Sequence, residues 1–391
     1  MRILSLLKLI LAILMTSYFI HPNTSYAKSG DHLWSFSTGG PIWSDIKVRH
    51  NTAYFGSDDG FLYAVDINSR QLKWKKATGG IVRSTPAFKH KKLYFTSDDG
   101  YLYALNARTG EELWKIDLGD GDMQRNGPAG HAPWDFDWAK SSPVLKGKYL
   151  YVGSATGELF AINAYRGKVI WTFSAKDRIR ATPTIAGNLV YITSWDGHIY
   201  AVNRKNGQQV WQFAANLDNY DFRFVSAPSV IDDKIIVGNR DSQLYALDKK
   251  TGEKVWDYTY EGGSWVESTA TAGSEHGTLF IASSDSLKFY KFDSETGDLL
   301  WTTPLSGWSW GKPAVTDDTL YIGSTATDDY WQPISRGFVA IDSSSGEIKW
   351  RYQPQYLNNS YINGGVHSSP AIKYGQVFVG DLDGKLHVFA E

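Results

Sequence analysis

The chain contains eight similar repeats, and most of them have a proline at the same place. Three residues before that proline, or before the residue that replaces it, most repeats carry a charged or aromatic side chain that could bind a ligand or take part in a reaction. Three are consecutive cations, one is acidic, one is a histidine, and two are tryptophans that flank the histidine. The position is occupied in turn by Trp43, Arg83, Lys140, Arg180, Val225, Glu267, Trp310 and His367. If the repeats form a ring, these side chains meet at one place. Cations beside aromatic rings there suit an anionic or carbohydrate-like ligand or an acidic peptide segment. The alternative is a water-filled channel with a polar lining that binds nothing specific.

An acidic segment offers a second set of candidate ligands, near the longest interruption of the repeat, residues 120–138. Asp117, Asp120 and Asp122 supply carboxylates of the kind that calcium binds, but the later ligands of an EF-hand loop are missing. We therefore predict no metal site there and expect an ordered, aromatic-rich loop. The chain has no cysteine, which excludes thiolate nucleophiles, thiolate zinc sites, iron–sulfur clusters and lipid attachment at a mature N-terminal cysteine.

Composition indicates a globular protein with no general attraction to nucleic acid. The 391 residues include 40 basic and 41 acidic side chains, a net charge of −1. Residues 1–27 are typical of a secretory signal peptide, with Arg2 at the start, an apolar run, and Ser25-Tyr26-Ala27 as a cleavage site. The apolar run is shorter than the ~20 residues that span a bilayer, which favours a cleaved signal over a membrane anchor. We predict a periplasmic or secreted protein with a mature domain of residues 28–391 and no transmembrane segment.

A repeated motif organises the rest of the chain. Each copy has Ala or Lys, then Asp or Asn two residues later, a small polar residue that is usually followed by Gly, and Trp ten residues after the first position. The copies end at Trp74, Trp114, Trp171, Trp211, Trp256, Trp301 and Trp350. Upstream of each lie apolar runs of β type and turns such as Asp98-Asp99-Gly100, which are strong hairpin signals. Each unit therefore predicts four short antiparallel strands, A to D, with the tryptophan on the outer strand D.

The two ends of the chain complete each other. A further unit begins at Ser369-Pro370 and reaches Glu391 without a fourth strand. The segment Leu33-Trp34-Ser35-Phe36 has the strand-D tryptophan and no strands before it. We therefore predict an all-β fold, an eight-bladed β-propeller of four-stranded antiparallel blades that is closed by the N-terminal strand joining the C-terminal blade. Closure removes the sheet edges that an open array would expose.

The repeats resemble those of the pyrroloquinoline-quinone (PQQ) type propellers, which include quinoprotein dehydrogenases and the BamB family of outer-membrane assembly factors. The likeness covers residues 31–391 and rests on the Ala/Asp/Gly/Trp spacing. It implies that the seven motif tryptophans, with Trp34 as the eighth, dock each blade against its neighbour. A buried indole covers the surface that one blade cannot bury alone, so ligand stacking by these tryptophans is not expected.

Two functions from different classes follow from the resemblance. The one we favour is a non-enzymatic binding or assembly scaffold of the cell envelope, with envelope proteins as partners; the lipid-bearing N-terminal cysteine of the BamB family is absent. The other is a PQQ-dependent dehydrogenase, with Trp43 or Trp310 as the floor under PQQ, Glu267 as a calcium ligand and Arg83 as a clamp. The vicinal cysteine disulfide of those enzymes is impossible here, so neither PQQ nor calcium is expected.

Loop lengths predict which face binds a partner. The D–A connections and the B–C loop of the seventh unit, Thr325 to Gly337, hold most of the extra residues, and up-and-down topology places both kinds of loop on one face. Tyr330, Trp331 and Tyr356 add aromatic rings to that face. A third function, a carbohydrate- or polymer-binding surface protein, rests on these aromatic loops alone. We expect a monomer that binds no nucleic acid.

Overall fold

Short β-strands make up nearly all of the regular structure. A computed structural model describes residues 27–121, 123, 125, 137–219, 221–328, 330–358 and 361–391. The predicted signal peptide, up to residue 26, lies outside these residues. One 3-10 turn, Glu261–Gly263, is the helical element among the residues described. No helix in this part of the chain is long and apolar enough to cross a bilayer.

The strands form where β-branched and aromatic residues run together and end at turns rich in Gly, Asp and Asn. The first sixteen are β1 (His32–Ser37), β2 (Lys47–Arg49), β3 (Thr52–Gly56), β4 (Phe61–Asp66), β5 (Leu72–Ala77), β6 (Ala87–Lys89), β7 (Lys92–Thr96), β8 (Tyr101–Asn106), β9 (Glu112–Asp117), β10 (Val144–Lys146), β11 (Tyr149–Gly153), β12 (Glu158–Asn163), β13 (Lys168–Ser174), β14 (Thr184–Ala186), β15 (Leu189–Thr193) and β16 (His198–Asn203). The others are β17 (Gln209–Ala214), β18 (Ser229–Ile231), β19 (Lys234–Gly238), β20 (Gln243–Asp248), β21 (Lys254–Thr259), β22 (Thr271–Ala272), β23 (Thr278–Ala282), β24 (Lys288–Asp293), β25 (Leu299–Pro304), β26 (Ala314–Val315), β27 (Thr319–Ser324), β28 (Gly337–Asp342), β29 (Ile348–Tyr352), β30 (Ala371–Lys373), β31 (Gln376–Gly380) and β32 (Lys385–Ala390).

These strands form eight four-stranded antiparallel sheets, which confirms the predicted eight-bladed propeller. Blades one to seven are four consecutive strands each, from β2–β5 to β26–β29. Blade eight has the order β1-β32-β31-β30, so its outer strand comes from the other end of the chain. The innermost strands, A, are only two or three residues long and approach one another around the central channel.

The C–D turns are built on the Asp or Asn of the motif. In blade one, Asp66 Oδ1 accepts hydrogen bonds from the backbone N–H groups of Asn68 (3.0 Å) and Ser69 (2.9 Å). In blade two, Gly110 closes the same turn with a φ of 76°, a conformation that favours glycine. The acidic or amide residue of the motif therefore stabilises the C–D turn through hydrogen bonds from the backbone.

The strand-D tryptophans lie against the turns of the following blades. A Cβ added to Gly110 would lie 2.8 Å from the ring of Trp74, so glycine permits the close approach of the indole. The same contact joins Trp114 to Gly167, Trp171 to Gly207, Trp211 to Gly252, Trp256 to Gly297 and Trp301 to Gly346. Hydrogen bonds reinforce it, since Trp171 Nε1 (3.2 Å) and the Tyr151 hydroxyl (2.9 Å) both donate to the carbonyl of Arg204.

The hydrophobic core is divided among the seams between blades. One cluster, for example, joins Tyr54 and Leu62 of blade one to Phe95 and Tyr103 of blade two. A single blade therefore buries its apolar faces only against its neighbours, and every blade needs a partner on both sides.

The two ends of the chain join within blade eight in the way that strands C and D join in the other blades, which confirms the predicted closure. Strand β1 pairs with β32, with Trp34 opposite Val388. The Gly30 N–H donates to the Ala390 carbonyl (3.0 Å), as the Gly110 N–H donates to Asn106 in blade two (2.9 Å). Gly30 also lies under Trp350, in the place that a turn glycine has elsewhere. The N-terminal segment thus supplies both the missing strand and the missing half of a C–D turn.

Replacing Trp34 with alanine should lower the free energy of unfolding by about 3–5 kcal/mol, the range for removing a large buried aromatic side chain. The indole is buried in the core cluster between blades eight and one. Ser35→Ala, at an exposed position of the same strand, is the matched control and should change stability by less than ~0.5 kcal/mol. Chemical denaturation followed by circular dichroism measures both, and equal effects would contradict the closure.

Candidate functional site

The residues predicted at the mouth of the channel are brought together by the ring. Trp43, Arg83, Lys140, Arg180, Val225, Glu267, Trp310 and His367 line one cavity of about 390 Å³. Each of them lies just before strand A of its blade, at the face that carries the D–A and B–C loops. The short inner strands therefore position eight side chains from eight blades around a single opening.

The cations at this mouth face carboxylates of their own chain. Arg83 donates to both oxygens of Asp58, at 2.9 and 2.7 Å. The buried Lys140 ammonium lies 3.1 Å from Asp120 and 3.6 Å from Asp98. Asp58 and Asp98 come from the B–C turns of the preceding blades, so Arg83 and Lys140 each pair with the blade before their own.

Arg180 finds its carboxylate in the insertion instead. The B–C turn of the preceding blade has Ala155 where an acidic residue stands in the first two blades. Asp137, at the end of the insertion, is fully buried and forms ion pairs with both Arg180 and Arg178. Arg125 from the same insertion pairs with Asp98. The insertion thus supplies a carboxylate for Arg180, which the B–C turn of the preceding blade does not.

The ion pairs determine the ionisation of Asp98. Burial alone would raise the pKa of Asp98, but the hydrogen bond from Arg125 and the nearby charges, including Lys140 and Arg180, outweigh it and hold the pKa at about 2. Burial lowers the pKa of Lys140, against the opposing charges of Asp120 and Asp98. An added anion would have to compete with carboxylates that are already in contact with these cations. Binding of an anionic ligand to these cations stays a prediction.

Trp138, at the end of the insertion, reaches across the mouth. Its indole Nε1 donates to Glu267 Oε2 at 2.9 Å. Its ring lies parallel to that of Trp310, with a centroid distance of 6.0 Å and an angle of 8°. The edge of His367 meets it at 4.3 Å. A side chain from between blades two and three therefore contacts blades six, seven and eight, and it occupies the opening.

His367 is held as a neutral imidazole under this cover. The ring is buried between Trp43, at 4.8 Å, and Trp138. Burial lowers the pKa of His367 to about 4. Neither ring nitrogen has a hydrogen bond of normal geometry to the described residues. The histidine is therefore an uncharged part of an aromatic cluster at pH 7.

The residues that would hold PQQ do not fit that cofactor, because their binding surfaces are already in use. Trp310 stacks on Trp308 (5.5 Å, 16°) as well as on Trp138. Trp43 carries the Arg83 guanidinium 4.5 Å from its ring. Glu267 accepts hydrogen bonds from Arg240 through Oε1 and from Trp138 through Oε2, so calcium would have to compete for both oxygens. Each of the four residues that the dehydrogenase hypothesis uses is therefore engaged by another side chain of this protein.

Below the mouth, the channel is lined by residues that form hydrogen bonds from blade to blade. They lie two positions after the mouth residue of their blade. The Thr85 N–H donates to Ser142 Oγ (2.8 Å), and the Ser142 N–H donates to Thr182 Oγ1 (3.2 Å). The Ser369 N–H donates to Asp45 Oδ1 (2.8 Å). Side chains of one blade thus satisfy backbone groups of the blade before it, which locks the inner strands together.

Two lysines enter the same channel without a nearby carboxylate. Lys47 and Lys312 line it from blades one and seven, and among the described residues no acidic oxygen lies within 4.0 Å of either ammonium. Burial lowers the pKa of Lys312, with Asp45 acting in the opposite direction and Lys47 in the same one. A small anion would meet cations here that are less neutralised than those at the mouth.

The acidic segment considered for calcium is engaged by the protein itself. Asp120 binds Lys140 and accepts a hydrogen bond from the Ala155 N–H (2.9 Å). Asp117 accepts one from the Gly119 N–H (2.7 Å). Asp122 lies outside the described residues, as does most of residues 120–138.

Sequence reasoning missed the carboxylates that face the cations. Asp58 and Asp98 stand one residue before the turn aspartates Asp59 and Asp99, and Arg240 has the same place in blade five. A comparison of this residue in each B–C turn with the mouth residue of the next blade shows opposite charges in three cases. These are Asp58 with Arg83, Asp98 with Lys140, and Arg240 with Glu267. The role of Trp138 had no such signal, because an insertion has no counterpart in other blades.

Comparison with known proteins places the chain in a family. The family model described as outer membrane protein assembly factor BamB matches residues 24–128, 125–270 and 262–390. A search of curated proteins finds no match.

Solved structures share the fold at low sequence identity. BamB from Moraxella catarrhalis is 16% identical, with a TM-score of 0.68 over 93% of this chain and 100% of that one. A europium-containing methanol dehydrogenase is 15% identical, with a TM-score of 0.71 over 92% and 93%. The quinohemoprotein alcohol dehydrogenase from Comamonas testosteroni is 13% identical, with a TM-score of 0.70 over 93% and 76%. These likenesses show the propeller fold alone.

Asp98→Asn should destabilise the protein by about 3 kcal/mol at pH 7, because it removes one partner from a buried ion-pair group. The folded pKa of about 2 lies below the ordinary value of 3.8, so the ionised carboxylate stabilises the folded state above about pH 4. That contribution is lost as the pH falls toward 2. Urea denaturation of both proteins from pH 7 to pH 2.5 measures it. A difference that stays constant over this range would contradict the assigned pairing.

Proposed function

Because the chain belongs to the family of the outer membrane protein assembly factor BamB, we propose that it is a non-enzymatic scaffold of the cell envelope. It binds other envelope proteins through its loop-rich face and takes part in outer-membrane protein assembly. The family match over nearly the whole chain supports this role. The predicted signal peptide, residues 1–27, agrees with a periplasmic location, which is part of the proposal.

The observation that carries the proposal is the closed mouth of the channel. Trp138 and Trp310 belong to a hydrophobic cluster with Trp43, Trp308 and Ile362, drawn from loops of several blades. These residues pack together at the loop-rich end of the channel, where Trp138 contacts residues of blades six, seven and eight. The loop-rich face is therefore suited to contact another protein over its surface, and less suited to a buried reaction centre.

An exposed aromatic side chain marks the centre of the proposed contact. Trp331, in the B–C loop of blade seven, is 76% exposed. The residue before it is fixed: the Tyr330 hydroxyl donates to Asp285 at 2.5 Å, and its ring meets Trp308 edge-on at 4.9 Å. A mobile tryptophan would lose entropy on binding, whereas a tryptophan on an anchored loop is pre-positioned. Aromatic anchors of this kind dominate many protein interfaces.

Carbohydrate or polymer binding is the second candidate, favoured by the same exposed indole. Trp331 and the half-exposed Tyr356 lie on loops that the face presents outward. Sugar rings stack on such side chains through their apolar faces. The dehydrogenase is not proposed, because the residues considered for PQQ and calcium are occupied by Arg240, Trp138 and Trp308.

Trp331→Ala should weaken recovery of outer-membrane assembly components from envelope extract by at least tenfold, since an aromatic hot spot contributes about 2 kcal/mol or more. The matched control is Tyr374→Ala, which removes a 57% exposed aromatic residue from an A–B turn on the opposite face. Affinity capture after mild chemical cross-linking, read by quantitative mass spectrometry, compares both variants with the unaltered protein.

Three results would contradict the scaffold function in this form. Equal recovery by both variants would exclude Trp331 as an anchor, and loss with Tyr374→Ala alone would move the contact to the other face. Capture of envelope polysaccharide without assembly components would favour the second candidate.

A further inference from the structure

A buried cluster in blade eight combines two aspartates and a histidine. Asp381, Asp383 and His387 each offer one ligand atom, and these atoms all lie within 4.8 Å of one another. Asp381 follows β31 and His387 is on β32, so the cluster lies in the blade that closes the ring. Its two aspartates lie in the B–C turn of that blade, at the loop-rich face, but none of the three residues lines the channel.

The closing blade departs from the repeat at two of these positions. Aligned on the register of strands B and C, the residue before the B–C turn is polar throughout: Ser57, Ser97, Ser154, Ser194, Asn239, Ser283, Ser324 and Asp381. The third residue of strand C is aromatic in most blades: Tyr63, Tyr103, Phe160, Tyr200, Tyr245, Tyr290, Val339 and His387. Both departures introduce metal-ligating side chains into the same blade.

The ordinary residues form a hydrogen bond that the closing blade lacks. The hydroxyl of Tyr63 donates to Asp59 at 2.5 Å, and that of Tyr103 donates to Asp99 at 2.6 Å. His387 is shorter than tyrosine, and its Nε2 lies 3.7 Å from Asp383 and 3.9 Å from Asp381. These distances are too long for hydrogen bonds. A gap separates the imidazole from the two carboxylates.

Two polar atoms that face this gap have no partner among the described residues. Asp381 Oδ2 and His387 Nε2 are both buried without a hydrogen bond. Leaving such groups unsatisfied is costly in a protein interior, and a buried carboxylate is the more costly of the two. The three side chains therefore present two buried ligand atoms without a partner to one gap.

The N-terminal strand orients the histidine from its other side. His32 Nε2 lies 3.1 Å from His387 Nδ1, so one of the two imidazoles donates to the other. That contact leaves Nε2 of His387 directed toward the carboxylates. A hydrogen bond to the second nitrogen of a metal-ligating histidine is a common supporting feature of metal sites.

We propose that Asp381, Asp383 and His387 bind a divalent transition-metal cation, with zinc as the first candidate. Imidazole with carboxylate is a ligand set that zinc accepts. Zinc–ligand distances of about 2.0–2.2 Å place two ligands roughly 3.4 Å apart in a tetrahedral site. His387 Nε2 is 3.7 Å from Asp383 and 3.9 Å from Asp381, close to that separation, and all three ligand atoms lie within 4.8 Å of one another. Asp383 Oδ2 binds the Lys385 ammonium, and Oδ1 accepts one hydrogen bond from the Lys385 N–H (2.9 Å), which leaves Oδ1 a second lone pair for the metal.

A bound cation would also strengthen the closure of the ring. Two of its ligands flank the β31–β32 turn, and the third touches β1 through His32. Removing the metal would therefore loosen the contact between the two ends of the chain. No metal site was predicted from the sequence. The Asp-x-Asp-x-x-x-His spacing is recognised only when blade eight is aligned with the other seven blades, most of which have serine and an aromatic residue at the first and last of these positions.

The experiment is a zinc titration of the EDTA-treated mature protein by isothermal titration calorimetry, with thermal unfolding measured in parallel. One zinc per chain and a higher melting temperature are expected, since a cation that binds the folded state stabilises it by mass action. Asp381→Ser with His387→Tyr restores the residues of the other blades, so this variant should fold and bind zinc at least tenfold more weakly. His32→Ala should weaken binding about tenfold or more, as loss of such a supporting contact does.

His198→Tyr is the matched control, because His198 contacts Asp196 in blade four without a third ligand. It should leave zinc binding unchanged. Should the double variant fail to fold, Asp383→Asn, which keeps the side-chain shape, tests the same ligand set. Substoichiometric zinc in the unaltered protein, or equal binding by the ligand variants, would overturn the proposal. A proton on Asp381 would then be the occupant of the gap.

Discussion

The pairing of β1 with β32 is the interaction on which the rest of the ring depends. Each blade has two apolar faces, and each face is buried only by the next blade. The seven covalently continuous blades cannot satisfy this constraint by themselves, because the first and last would expose a face and a sheet edge. Strand β1 removes the edge, and Gly30 under Trp350 gives the last seam the contact between indole and glycine that the internal seams have.

Closure also determines what can happen at the centre of the molecule. With the ring closed, every strand A is held at a fixed distance from the axis, and the mouth residue of one blade meets the B–C turn of the blade before it. The pairs Arg83–Asp58 and Lys140–Asp98 follow from that geometry. The cations that the sequence suggested as a ligand site therefore also form ion pairs that hold neighbouring blades together. The insertion completes the arrangement with Asp137 and covers it with Trp138.

The fold could be predicted almost completely from the sequence, because its signals are local and repeated seven times. The turn at Asp66, the tryptophan ten residues after Ala64 and the incomplete unit at Ser369 together predict the number of blades and the closure. The candidate site was predicted only as a set of positions. Which residue faces Arg180, or that Trp138 stacks on Trp310, depends on contacts between blades and on an insertion, and neither is encoded in a repeat. The fold class is shared with dehydrogenases and a BamB protein alike, so function follows from how these particular side chains are engaged.

We expect β1 to be held to β32 as firmly as the outer strand of any other blade is held to its neighbour. Hydrogen exchange read by mass spectrometry tests this by comparing amides of His32–Ser37 with those of Glu112–Asp117, the corresponding outer strand of blade two. Protection within about tenfold in the two strands is the predicted result, since both are single outer strands paired to one neighbour. Exchange of His32–Ser37 at the rate of an unstructured peptide, with Glu112–Asp117 still protected, would contradict it.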